Sequence, residues 1–179
     1  MSQADLFAFV ASALERLALR WMVVGAHAAS YHGRPRSTHD VDLLLELPPD
    51  RIDDLIAAFP TDRYYLSGVA LREGRMANVI DLTSGDKLDL FLRDTASTDT
   101  LAHRQPATIM GVDGHVASPE DTIVAKMIWN RELGGSERQQ DDIRGMVTVG
   151  GESLDWRRLE RRLAEEGLTD DWNALGIER

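Results

Sequence analysis

There is no cysteine anywhere in the 179 residues, so disulfides and thiolate metal sites are excluded and the redox compartment is left open. No apolar run approaches the roughly 18 residues a membrane helix needs. The amino terminus, MSQADLFAFV, lacks the basic start and long apolar core of a leader. The expectation is a soluble, cytoplasmic protein with no membrane association. Net positive charge is missing too: the balance is −10, so the surface as a whole offers no attraction to a phosphate backbone. Any nucleic-acid contact then needs local cations, such as those of Gly33–Arg36 and Arg157–Arg162, or a bound metal ion. Low-complexity tracts and internal repeats are absent as well. What remains, 43% hydrophobic and 28% charged, is an ordinary globular composition, long enough for one well-buried domain or a domain with a helical appendage.

The stretch around which the chain is organised is Trp21–Glu46, WMVVGAHAASYHGRPRSTHDVDLLLE. A β-rich run, Trp21–Val24, meets Gly25, and a short Ala-rich helix is expected directly after it, to Tyr31. His32–Pro35 breaks that helix, since Pro35 disfavours helical geometry at Arg34. A strand is then expected over Thr38–Leu47. Residues two apart on a strand share a face, about 7 Å from one another along the chain. Asp40 and Asp42 therefore aim one way and Val41, Leu43 and Leu45 the other. A one-residue slip would bury the carboxylates, which fixes the register. Two carboxylates at the edge of a core are costly unless a cation shares them.

Around this stretch, residues 4–18 carry Leu6, Phe7, Val10, Leu14 and Leu17 at helical spacing. Pro48-Pro49-Asp50 starts a helix running to about Phe59, and a short helix is expected near Gly68–Gly74. Strands follow at Ala77–Leu82 and Lys87–Leu92, joined through the turn signal Ser84-Gly85-Asp86. The second of them alternates, with Lys87, Asp89 and Phe91 opposite Leu88, Leu90 and Leu92, and so supplies a third strand aspartate. Thr108–Val112 and His115–Ala117 read as a hairpin turning at Asp113-Gly114. From Ser118 the period becomes helical. A Ser-Pro-Glu-Asp cap leads into a helix with Ile123, Met127 and Ile128 on its stripe, Gly134-Gly135 interrupts it, and Glu137–Val149, Leu154–Glu166 and Leu168–Leu175 continue. The expected class is α+β: a small mixed sheet flanked by helices, then a helical C-terminal region. Residues 1–117 are taken as the α/β core and 118–179 as the helical part.

Three aspartates on two strands suit hard divalent ions, which take carboxylates, water and substrate phosphates. Two such ions about 3.5–4 Å apart can clamp both oxygens of an in-line displacement at phosphorus. Gly25, the Arg34–Thr38 loop, Asp40-Val41-Asp42 and Lys87-Leu88-Asp89 together resemble the nucleotidyltransferase superfamily over roughly residues 20–150. More narrowly, the chain is similar to small bacterial nucleotidyltransferase-like proteins related to toxins of abortive-infection and toxin–antitoxin systems. Ser118-Pro-Glu-Asp, Lys126, Glu137-Arg138-Gln139 and Asp142 carry that narrower likeness. The resemblance implies the nucleotidyltransferase fold and transfer of a nucleoside monophosphate from NTP to a hydroxyl of tRNA or protein, with two Mg²⁺ (or Mn²⁺) ions. It implies that Asp40 and Asp42 bridge both metals and that Asp89 holds the one activating the acceptor and takes its proton. Gly25, Ala26 and His27 would receive triphosphate oxygens at a helix start, with Arg34, Arg36 and Lys126 adding charge.

Ala26 departs from the pattern, which usually has Gly or Ser there. Ala neither lets the backbone approach phosphate closely nor adds a hydroxyl donor. A second expectation therefore stands beside the first: an impaired nucleotidyltransferase-fold protein acting as a binding partner, antitoxin-like or regulatory, with a cognate partner protein. A metal-dependent phosphohydrolase is a third. Each of these residues also fits a plainer role. Asp40 and Asp42 also read as ordinary solvent-facing strand charges, Arg34 and Arg36 as solvated loop cations, and Lys126 as an exposed helical lysine. His27 reads as a packing histidine and His39 as structural. Arg138 and Asp142 read as an i,i+4 surface pair, and Trp129, Trp156 and Trp172 as core anchors.

Overall fold

A computed structural model describes residues 2–93 and 99–177. It divides into two compact units that are discontinuous in sequence: Met1–Val24 with Thr38–Val116, and Gly25–Ser37 with Ala117–Arg179.

The first unit holds a seven-stranded mixed sheet. In chain order its strands are β1 (Arg20–Val23), β2 (Val41–Glu46), β3 (Tyr64–Leu66), β4 (Met76–Asp81), β5 (Lys87–Arg93), β6 (Gln105–Ile109) and β7 (Val112–Val116). Their spatial order is β3-β4-β5-β2-β1-β7-β6. β2 runs parallel to β5 and antiparallel to β1, and β1 meets β7 in parallel. Val41, Leu43, Leu45, Leu88 and Leu90 are fully buried, so the expected alternation of β2 and β5 holds. Helix α1 (Gln3–Arg16) starts on a Ser2–Asp5 capping box and lays Leu6, Phe7, Val10 and Leu14 against this sheet. Phe7 meets buried Trp21 edge-on at 6.2 Å, and the Trp21 indole N–H donates to Glu15 Oε1 at 2.8 Å. β3 was not expected. It is a three-residue edge strand whose Tyr64 stacks on Phe9.

One expected turn sits elsewhere. The β6–β7 hairpin turns at Met110-Gly111, both with positive φ (51° and 79°), while Asp113-Gly114 lies inside β7. Paired positive φ values match the right-handed strand twist. Gly114 serves packing instead: a Cβ there would come within 2.9 Å of Trp21 Cζ2.

The second unit is helical among the described residues. Helix α2 (Gly25–His32) packs on two long helices, which we number in chain order after α3 (Ile52–Ala57), α4 (Gly68–Glu73) and α5 (Asp99–Ala102) of the first unit. They are α6 (Pro119–Glu132) and α7 (Glu137–Gly150), followed by α8 (Trp156–Glu165) and α9 (Thr169–Ala174). α6 begins as expected, with Ser118 as cap and Pro119 at its first position. Its core contains Ile123, Val124, Met127, Ile143, Met146, Leu159 and Leu163, with Trp156 and Trp172 packed against it. Trp129 is instead 46% exposed. Two residues past Met127 carry it about 200° round the helix, away from the buried stripe. No helix among the described residues is long and apolar enough to cross a membrane.

Candidate functional site

In the first unit the parallel ladder of β2 and β5 sets Asp42 directly beside Asp89. Their neighbours Val41, Leu43, Leu88 and Leu90 are buried on the opposite face, which forces both carboxylates to the same side. Val24 N–H donates to Asp42 O at 2.9 Å, tying the end of β1 to this point. Asp40 is exposed and precedes the strand, because the ladder to β5 opens only at Val41↔Leu88. The strand is thus shorter at its start than Thr38–Leu47. His39 is exposed as well.

Asp89 is buried and already engaged. Its antiparallel register partner on β4, Asn78, donates from Nδ2 to Asp89 Oδ1, and Lys87 Nζ lies 3.2 Å from Oδ2. Among the described residues no group of three or more His, Asp or Glu side chains is gathered as a metal site. The donor chemistry nevertheless suits a hard divalent cation: oxygen atoms only, two of the carboxylates side by side on neighbouring strands. For Asp89 to join such a set, its Oδ2 must part from Lys87, whose side chain is 43% exposed and has room to turn into solvent.

In the second unit, Gly25 opens α2 with φ +64°, a conformation that suits glycine. Ala26 and His27 are half-buried in its first turn. His27 Nε2 is buried with no hydrogen-bond partner among the described residues. Burial, and then the nearby Arg36 charge, push the imidazole below its ordinary value. Gly33 follows α2 at a close backbone crossing; a Cβ would stand 2.8 Å from Met146 N and 3.0 Å from Gly145 C on α7. Arg34 is exposed beside that crossing, with its backbone N 3.4 Å from where a Gly145 Cβ would lie.

Arg36 reaches α7 by a fork. Its Nε donates to Asp142 Oδ1 at 2.7 Å and its Nη2 to Oδ2 at 2.8 Å. Lys126 Nζ, from α6, lies 2.8 Å from the same Oδ2. Burial would raise the Asp142 carboxyl, but the hydrogen bonds and charges of Arg36 and Lys126 outweigh it and hold the group below its ordinary value. Two of the expected nucleotide-binding residues therefore converge on one carboxylate, and Lys126 is buried, not an exposed helical lysine. Asp142 is not the surface partner of Arg138 that its i,i+4 spacing suggests. Asn78 lies outside the residues the sequence singles out as a site, although a lone amide inside Met76-Ala77-Asn78-Val79-Ile80 is a signal of it.

No family model matches the sequence, and no curated protein matches it. Solved structures do match. The solution structure of the antibiotic-resistance factor ANT(2″)-Ia superposes with a TM-score of 0.60 at 18% identity, over 97% of this chain and 95% of that one. The chain has the nucleotidyltransferase fold. A nucleotidyltransferase-like protein from Paracoccidioides brasiliensis gives a TM-score of 0.58 at 18% identity, covering 97% of this chain and 91% of the other. The lincosamide adenylyltransferase LnuA gives 0.54 at 10% identity, over 81% and 96%. The α+β class and the fold implied by the sequence resemblance are both borne out. At these identities it is the nucleotidyltransferase fold that is shared, and the chemistry has to be argued from this chain's own residues.

Proposed function

We propose that this protein is a divalent-metal-dependent nucleotidyltransferase that moves a nucleoside monophosphate from NTP to a hydroxyl acceptor. The observation that carries this is the Asp42↔Asp89 register pair, with Asp40 two residues upstream, in a chain of nucleotidyltransferase fold. A bound Mg²⁺ or Mn²⁺ pair would neutralise charge and bring the acceptor oxygen toward the α-phosphorus. Asp40, Asp42 and Asp89 would hold it, and Asp89 would also receive the acceptor's proton. The new bond joins the acceptor oxygen to the α-phosphorus; the bond to the β-phosphate oxygen breaks and pyrophosphate leaves. Gly25, Ala26 and His27 would present backbone donors to the phosphates, with Arg34, Arg36 and Lys126 as cations.

The acceptor is proposed as a hydroxyl of tRNA or protein, in the setting of a two-gene toxin–antitoxin or phage-defence module with a cognate partner. Antibiotics enter the panel because ANT(2″)-Ia has been solved with adenylyl-2″-tobramycin and LnuA with lincomycin. The test is transfer of label from each α-labelled NTP to total tRNA, total cell protein, tobramycin or lincomycin, with Mg²⁺, with Mn²⁺ and with chelator. One acceptor should be labelled with release of pyrophosphate, and Asp42→Asn should lower the rate by at least about a hundredfold. Unchanged turnover in that variant would sink the assignment, and release of inorganic phosphate would point to a phosphohydrolase.

A second reading rests on Ala26 and on Lys87 seated against Asp89: a nucleotidyltransferase-fold binding partner without catalysis. Calorimetry separates the two, since that protein would bind no NTP at millimolar concentration with Mg²⁺.

A further inference from the structure

The Arg36–Lys126–Asp142 cluster carries more order than a phosphate site made of loose cations would need. The Asp142 side chain is 6% exposed and that of Lys126 7%, while Arg36 is 24% exposed. A buried lysine and a buried aspartate each carry a heavy desolvation cost, which pairing offsets. Yet among the described residues the cluster does not balance: two cations share one carboxylate, leaving one positive charge uncompensated there. The loop bearing Arg36 is itself pinned, because Gly33 crosses α7 at backbone contact one turn beyond Asp142. The planar fork fixes the plane of the guanidinium, as a single hydrogen bond would not.

We propose that Asp142 is a positioning residue, holding Arg36 and Lys126 as a preset two-cation clamp for the polyphosphate of a nucleoside triphosphate. This rests on the reading of Arg36 and Lys126 as phosphate-binding residues. Asp142 touches no phosphate. It gives up some local positive potential in exchange for cations that are already oriented when the ligand arrives, so less ordering entropy is lost on binding.

That trade sets a sign that distinguishes positioning from plain electrostatics. Asp142→Asn removes a negative charge beside two cations, so by Coulomb attraction alone every polyanion should bind more tightly. If Asp142 positions, binding weakens although the potential has become more positive. The experiment is calorimetry of the full chain with inorganic tripolyphosphate, which carries the charge without base or ribose. Asp142→Asn is expected to raise Kd about tenfold, in the range seen when an outer-shell partner is removed. In an Arg36→Gln, Lys126→Gln background the same change should have no effect. Asp142→Glu keeps the charge and shifts the carboxylate by one methylene; it should lose affinity several-fold, and it serves if Asp142→Asn does not fold. Equal or tighter binding by either folded variant overturns positioning alone, since Asp142 would then be a neutral bystander or a competitor of phosphate. A wild-type protein that ignores tripolyphosphate at millimolar concentration overturns the phosphate reading of these cations and this inference with it.

Discussion

Gly111 and Gly114 lie three residues apart in one hairpin and meet different demands. Gly111 supplies φ +79° at the turn, with open space around a notional Cβ. Gly114 is instead a space-saving choice, leaving room that a Cβ would take from the Trp21 ring. Gly114→Ala should destabilise by about 1–3 kcal/mol through overpacking, and Gly111→Ala by about 1 kcal/mol through backbone strain. Urea unfolding of both variants checks the order; a Gly114→Ala protein as stable as wild type would refute the packing account. Asp142 gives a pH signature at the same scale. Its folded carboxyl titrates below the ordinary 3.8, so the stability from its ion pairs is complete above 3.8 and drains as pH falls through the lower folded value. Thermal unfolding taken downward from about pH 5 should therefore show a shallower acid decline in Asp142→Asn than in wild type.

At the scale of elements, α6 depends on the residue that caps it. Ser118 Oγ accepts from Asp121 N at 3.1 Å and from Arg158 Nη1 at 3.1 Å, and donates to Asp121 Oδ2 at 2.9 Å. Arg158, buried on α8, also donates to both Asp121 oxygens at 2.9 and 2.8 Å. One hydroxyl thus caps α6 and joins the ion pair that docks α8 on it. Ser118→Ala should cost about 1–2 kcal/mol, measured by denaturant unfolding. Arg158→Met should cost more, about 3–5 kcal/mol, because Asp121 would remain buried without its main partner. A smaller loss for Arg158→Met than for Ser118→Ala would show that the network is not what docks α8.

For the whole molecule, the charge of −10 and the placement of cations act together. Cations such as Arg36, Lys126 and Arg158 are already committed to carboxylates. The full chain should therefore show no retention of unrelated duplex DNA in a mobility shift at about 0.15 M salt. Micromolar binding there would mean that the chain carries an uncommitted basic surface. Each unit has its own buried interior, the sheet under α1 in one and the α6–α8 cluster in the other, so the discontinuous division reflects packing, not chain order.

The sequence by itself determined whatever depends on neighbours within a few residues. Period-two alternation marked β2 and β5, period 3.6 marked α1, and Ser118-Pro119 marked the start of α6. Because alternation also fixes which face is buried, Asp42 and Asp89 were legible as strand carboxylates. Only the tertiary structure decided that they are in register, that Asn78 and Lys87 engage Asp89, that Trp129 faces outward, and that the hairpin turns at Met110-Gly111. Asp142 is the sharpest case, since its spacing to Arg138 suggests a local pair while its partner Arg36 stands 106 residues away. An exposed i,i+4 pair is worth only a few tenths of a kcal/mol. A buried carboxylate has far more to lose by going unpaired, and it takes whichever cations the fold brings to it.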